Sequence, residues 1–236
     1  MTHISPSIEE RLKQVRERIM QACSRCGRDP AGVRLVAVSK TVEPDRIWQA
    51  LARGVTILGE NYIREAREKI PLIDKSGVSW HYIGHLQTNK AKYAAALFDM
   101  VHSLDSLPLA QSLNREAEKN GRVLQVLVQV NVSGEQTKSG CEPGDAAGLI
   151  AAAANLQHLR VQGLMTIPPP ADNPEQSRPF FTALRRLRDD TAQQLPGVGA
   201  LPELSMGMSA DFEAAIEEGA TLVRVGSLLF GERPYI

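Results

Sequence analysis

Aromatic side chains are scarce in this 236-residue chain, at 5% of its residues. So few rings leave no obvious platform for stacking bases, and nucleic acid is not an expected ligand. Charge of one sign is missing as well, because 27 lysines and arginines balance 27 aspartates and glutamates. A neutral chain has no basic excess to steer a polyanion or an anionic membrane surface. No run of about 20 apolar residues occurs, so no membrane span is expected. The N-terminus lacks the basic-then-apolar pattern of a secretory signal. These absences predict a soluble, cytoplasmic protein. Three cysteines fit a reducing compartment. Cys23-Ser24-Arg25-Cys26 has CxxC spacing, but no second Cys or His pair lies near it. Zinc would need four ligands, so no metal site is expected.

What the chain does have is a regular alternation of short apolar runs with helix-like stretches. The runs 33–39, 55–58, 79–83, 100–103, 124–130, 160–164, 200–204 and 222–225 read as strands. The stretches 45–53, 61–70, 88–97, 107–119, 143–156, 174–195 and 209–218 read as helices. Strands alternating with helices predict a parallel sheet, and eight such units predict a single α/β domain, a (β/α)8 TIM-type barrel over residues 1–236. The first thirty residues stand outside the eightfold count. Ile8, Leu12, Val15, Ile19 and Cys23 form one apolar stripe that ends near Gly27 and Pro30. This extra N-terminal helix is expected to cover the barrel bottom.

In a barrel of this kind ligands sit at the C-terminal ends of the strands, and a phosphate often sits on the loops after strands 7 and 8. Lys40 closes the first apolar run and is followed by turn residues. A neutral lysine amine is a nucleophile whose usual target is a carbonyl carbon. The competing assignment is a lysine that lays its stem on apolar neighbours and its charge in water. Two small-residue loops decide between them. Leu204-Ser205-Met206-Gly207-Met208-Ser209-Ala210-Asp211 follows strand 7, and Val225-Gly226-Ser227 follows strand 8. Glycine and hydroxyl residues there can turn several amide N–H groups toward one anion. Strand 1 adjoins strand 8 on closure, so Lys40 and both loops share one mouth. His81, His85 and His102 lie near the ends of strands 3 and 4 and are read as structural histidines. Arg224 alternates with Val223 and Val225. If the valines face the helices, Arg224 points inward, toward a ligand or toward an acidic partner across the barrel.

Several segments resemble the pyridoxal phosphate homeostasis protein family. They are Val36-Ala37-Val38-Ser39-Lys40-Thr41, Gly59-Glu60-Asn61-Tyr62, the run from His81 to Lys90, Gly163-Leu164-Met165-Thr166, Ser205 to Asp211, and Arg224 to Gly231. The family resembles the barrel domain of alanine racemase. The resemblance implies pyridoxal 5′-phosphate (PLP) as cofactor, held as an aldimine on Lys40. It implies that Ser205, Met206, Gly207, Gly226 and Ser227 surround the phosphate, largely through backbone N–H groups. It places Arg224 at the pyridine nitrogen, with Asn61 and Met165 beside the ring, and Lys138 matches a family motif. Enzymes that use PLP as an electron sink commonly put a carboxylate at that nitrogen. A permanently protonated arginine there makes a weak sink. Three readings stay open. One is a non-catalytic carrier that stores, buffers or delivers PLP, with apo PLP-dependent enzymes as candidate partners. Another is a racemase-like enzyme, and the third is a Schiff-base aldolase without cofactor. The carrier is expected, because too little chain follows Gly231 to supply a second domain with an opposing base, and a monomer is expected as well.

Overall fold

A computed structural model describes residues 6–73, 77–135 and 137–232. Eight strands run in parallel: β1 (Arg34–Val38), β2 (Ile57–Glu60), β3 (Ser79–Tyr82), β4 (Met100–Leu104), β5 (Leu124–Gln129), β6 (Leu159–Met165), β7 (Glu203–Met208) and β8 (Leu222–Val225). Each pairs with the next in sequence, and β8 pairs with β1, which closes the barrel. The (β/α)8 architecture expected from the alternation is therefore the one observed.

Strands in such a barrel are covered on both faces, one by the interior and one by helices, which is why they read as continuous apolar runs. Val36, Val38, Ile57, Ile83, Met100, Leu127, Met165 and Leu222 form the inner cluster. Ala37, Leu58, Trp80, Val101, Val126, Leu204, Val223 and Val225 belong to the outer one, with the helices. Around the barrel stand α1 (Ile8–Arg25), α2 (Pro44–Leu51), α3 (Ile63–Lys69), α4 (Ala91–Leu97), α5 (Leu107–Lys119), α6 (Ala146–Ala154), α7 (Arg178–Gln194), α8 (Phe212–Glu217) and the single turn α9 (Ser227–Phe230).

The helix α1 begins at a capping box between Ser7 and Glu10 and buries Ile8, Leu12, Val15, Ile19, Ala22 and Cys23. Its location differs from the expected one. It packs against α2, α8 and α9 in the outer ring rather than across the barrel bottom. Arg18 holds Glu213 at 2.6 Å, Arg25 holds Glu217 at 2.6 Å, and Arg28 donates to the carbonyl of Ile216. The two ion pairs ascend together along α1 and α8, so the two helices run in the same direction. The reason for the displacement is α9. One turn is too short to cover β8 and β1, and α1 fills the gap that it leaves between α8 and α2.

Several strand ends shift by a residue from the sequence reading, and two strands shift further. β2 runs on through Gly59 and Glu60, and β7 runs on through Met208. Both extensions carry residues of the mouth.

Candidate functional site

Lys40 follows β1 with the parity of Val36 and Val38, which places it on the interior side of the mouth, and it is half-buried. The next residue, Thr41, has φ 56°. A β-branched residue is rarely left-handed, so this backbone persists only where its surroundings fix it. A buried ionic cluster does so. The Lys69 ammonium donates to the Ser39 carbonyl at 2.7 Å, to Glu60 Oε1 at 2.9 Å and to Glu65 Oε1 at 2.6 Å. Glu65 Oε1 also accepts the Thr41 N–H, and Glu60 Oε1 accepts the Ser39 hydroxyl at 2.6 Å. Burial pushes the Glu60 carboxyl above its ordinary range, while Lys69 and Ser39 oppose that shift.

Opposite this cluster, across the β1–β8 seam, Arg224 stands level with Val36. Val223 and Val225 face the helices, so Arg224 points inward, and it is buried. Its guanidinium donates to Ser205 Oγ at 2.6 Å and to the Thr166 carbonyl at 2.9 Å. No acidic residue forms an ion pair with it among the described residues. Burial lowers its pKa to about 10, which leaves it protonated at neutral pH. Below it runs a chain of polar side chains. Ser205 Oγ lies 2.9 Å from His102 Nδ1, His102 Nε2 lies 2.9 Å from His81 Nδ1, and His81 Nε2 lies 3.1 Å from Ser79 Oγ. Burial lowers the His81 pKa to about 4 and holds that of His102 well below its ordinary value. Both imidazoles are thus neutral near pH 7.

The anion loops have a more definite geometry than small residues alone convey. The register between β7 and β8 shifts between Ser205 and Met208, and Gly207 sits in this bulge at φ 86°. A Cβ on Gly207 would meet Ala215 Cβ at 2.6 Å and Phe212 Cα at 2.8 Å. The Met208 N–H donates to Asp211 Oδ1 at 2.7 Å, and the Gly226 N–H donates to Ser209 Oγ at 3.4 Å, which ties the two loops together. Gly226 then caps α9, whose first N–H groups have no acceptor within the helix.

The nine residues singled out from the sequence lie on or after five neighbouring strands, β2, β1, β8, β7 and β6, with Ser205 and Met206 inside β7 rather than beyond its end. Their side chains part company. Lys40, Asn61, Met165 and Arg224 share interior parity. Gly207, Gly226 and Ser227 mark the two loops. The Ser205 side chain lies in β7 and is committed to Arg224 and His102, and Met206 is buried in the outer cluster. Asn61 Oδ1 is a buried oxygen with no hydrogen-bond partner. Beside it a cavity of about 230 Å³ is lined by Gly84, His85, Gln129, Lys138 and Ile167 among others. Sequence reasoning missed Thr166, whose carbonyl holds Arg224, and the Lys69–Glu60–Glu65 cluster. Neither has a spacing that sets it apart before the barrel closes.

A deep acceptor, a buried cation, a lysine on interior parity and two amide-lined loops suit a small planar ligand with one anionic end and one electrophilic carbonyl. Comparison with known proteins shows the family. Residues 11–234 match the family described as alanine racemase, N-terminal domain. The pyridoxal phosphate homeostasis protein of Aquifex aeolicus (strain VF5) is 48% identical over 226 residues, which cover 96% of this chain and 98% of that protein. The protein of the same name from Pseudomonas aeruginosa is 44% identical over 229 residues, 97% of each. The solved structure of PipY from Synechococcus elongatus PCC7942 with PLP bound is 35% identical, covers 95% of this chain and 100% of its own, and superposes with a TM-score of 0.83.

Proposed function

This chain belongs to the pyridoxal phosphate homeostasis protein family, and we propose that it holds PLP covalently on Lys40 Nζ and stores, buffers or delivers it without using it in turnover. The observation that carries this reading is the pairing of β1, which leads into Lys40, with β8, which bears Arg224 and leads into the Gly226 loop, the Gly207 loop following on the next strand. Bound there, PLP would supply an aldehyde that an amine can trap reversibly.

The residues present fit that group. Gly207 and Ser227 would offer amide N–H groups to a phosphate, while the Gly226 N–H donates to Ser209 and braces the two loops. Asn61 Oδ1, buried and unpartnered, offers an acceptor to a polar group of the ring. Arg224, held by Ser205 and the Thr166 carbonyl, would offer a buried cation to the ring nitrogen. Ser205 serves in this arrangement by orienting Arg224 from below. A cation at that position, in place of a carboxylate, gives the barrel little means to stabilise negative charge on a reacting carbon. That favours a carrier over a racemase-like enzyme. Apo PLP-dependent enzymes are the partners such a carrier would serve.

The test is reduction of the PLP-loaded protein with borohydride, followed by peptide mapping. The adduct is expected on Lys40, and Lys40→Ala should lose it. A dominant adduct on Lys138, Lys90 or Lys92 would refute the assignment.

A further inference from the structure

We propose that Lys69 and Glu65, braced by Glu60, are positioning residues for Lys40: together they clamp the peptide groups on both sides of it and thereby aim its side chain into the mouth. The proposal rests on Lys40 being the attachment residue. The peptide before Lys40 presents the Ser39 carbonyl, and the peptide after it presents the Thr41 N–H. The first accepts from Lys69 Nζ at 2.7 Å, and the second donates to Glu65 Oε1. Lys69 and Glu65 are themselves joined at 2.6 Å, so one rigid unit grips both peptides.

The geometry exceeds what packing requires. Lys69 spends three donors on three separate elements: the end of β1, the end of β2 and its own helix α3. Its side chain is 7% exposed and that of Glu60 is 0% exposed. Ion pairs this deep contribute little net stability over apolar residues of like size, and their clearer use is to fix one arrangement among several. The arrangement fixed here includes Thr41 at φ 56°, which its own side chain disfavours. Released from Glu65, Thr41 would relax toward negative φ, and the chain direction at Lys40 would turn with it. The phosphate loops lie on β7 and β8, outside the three elements that this unit joins. The clamp therefore acts on covalent capture and leaves the hold on the phosphate alone.

Two ligands separate these effects. PLP can react with Lys40, whereas pyridoxine 5′-phosphate has an alcohol in place of the aldehyde and cannot. Glu65→Ala removes the grip on Thr41 while leaving the Lys69–Glu60 pair. It should weaken PLP binding by about tenfold to a hundredfold, the scale on which misplacing a reacting group is felt. The affinity for pyridoxine 5′-phosphate should stay within about twofold. Glu65→Gln keeps the accepting oxygen and should restore most of the PLP affinity, and Lys69→Met should behave as Glu65→Ala. Should Lys69→Met fail to fold, the two Glu65 variants decide the matter alone. Unchanged PLP binding in Glu65→Ala, a parallel loss of both ligands, or no recovery in Glu65→Gln would each overturn the clamp. If the wild type bound both ligands equally, the failure would lie instead with attachment at Lys40.

Discussion

His81 and His102 are neutral because they are buried beneath a cation, and this gives the protein a specific sensitivity to acid. His81 takes up a proton near pH 4 in the fold, against about 6.5 for an ordinary histidine. Between those values the unfolded chain binds more protons, so stability falls as pH drops through the window. His81 alone should cost about 2 kcal/mol between pH 7.5 and pH 5. Urea unfolding at the two pH values measures it. In His81→Gln, which keeps a polar side chain without a titrating one, the loss should be visibly smaller, and an equal loss would contradict the assignment. At this scale the sequence was readable where a residue ends a pattern. Lys40 stands out because an apolar run stops at it. Arg224 stands out because it interrupts valines. Lys69 closes the polar helix segment Ile63–Lys69, and nothing in its spacing from Glu60 marks a buried pair. Its meaning appears only once β1, β2 and α3 meet.

β7 shows how far an element could be read from composition. Ser205, Gly207 and Ser209 resemble a loop because glycine and serine punctuate most strands. The strand nevertheless continues to Met208, since the bulge at Gly207 absorbs the extra residue and Asp211 caps the Met208 amide. β2 likewise runs past its apolar stretch, through Gly59 and Glu60. Glu60 looks like a surface residue until Ser39 and Lys69 are seen to satisfy it. The stripe of α1 was legible in full, but a stripe names the buried face and not the surface that buries it. The bulge yields a prediction at the same scale. Gly207→Ala forces a Cβ against α8 at a left-handed φ, which should cost about 1–3 kcal/mol. It should also shift the Met208 and Asp211 turn, so that affinity for pyridoxine 5′-phosphate falls in the folded variant. Thermal unfolding and a ligand titration check both parts, and a variant unchanged in both would contradict the bulge as a phosphate-site element.

For the whole molecule, closure of the barrel is what turns scattered motifs into a site. β1 and β8 are separated by most of the chain, yet Val36 pairs with Arg224. The alternation of strands and helices was enough to predict that closure. The side-chain network inside it was not predictable, because each link joins a different pair of strands. Under the proposed function, the resulting interior suits holding PLP better than turning it over. Exchange of an amino acid's α-proton needs an acid–base group within reach of that carbon and an environment that disperses the charge left behind. Lys40 can offer an amine, but Arg224 is anchored at full charge, and His81 and His102 are locked in hydrogen bonds below it. The most direct measurement is loss of the α-proton from a panel of amino acids incubated with PLP-loaded protein in deuterated water, followed by NMR. Exchange no faster than with free PLP is the predicted result. Turnover of any one amino acid at about 1 s⁻¹ or more, the ordinary range of enzymes, would contradict it.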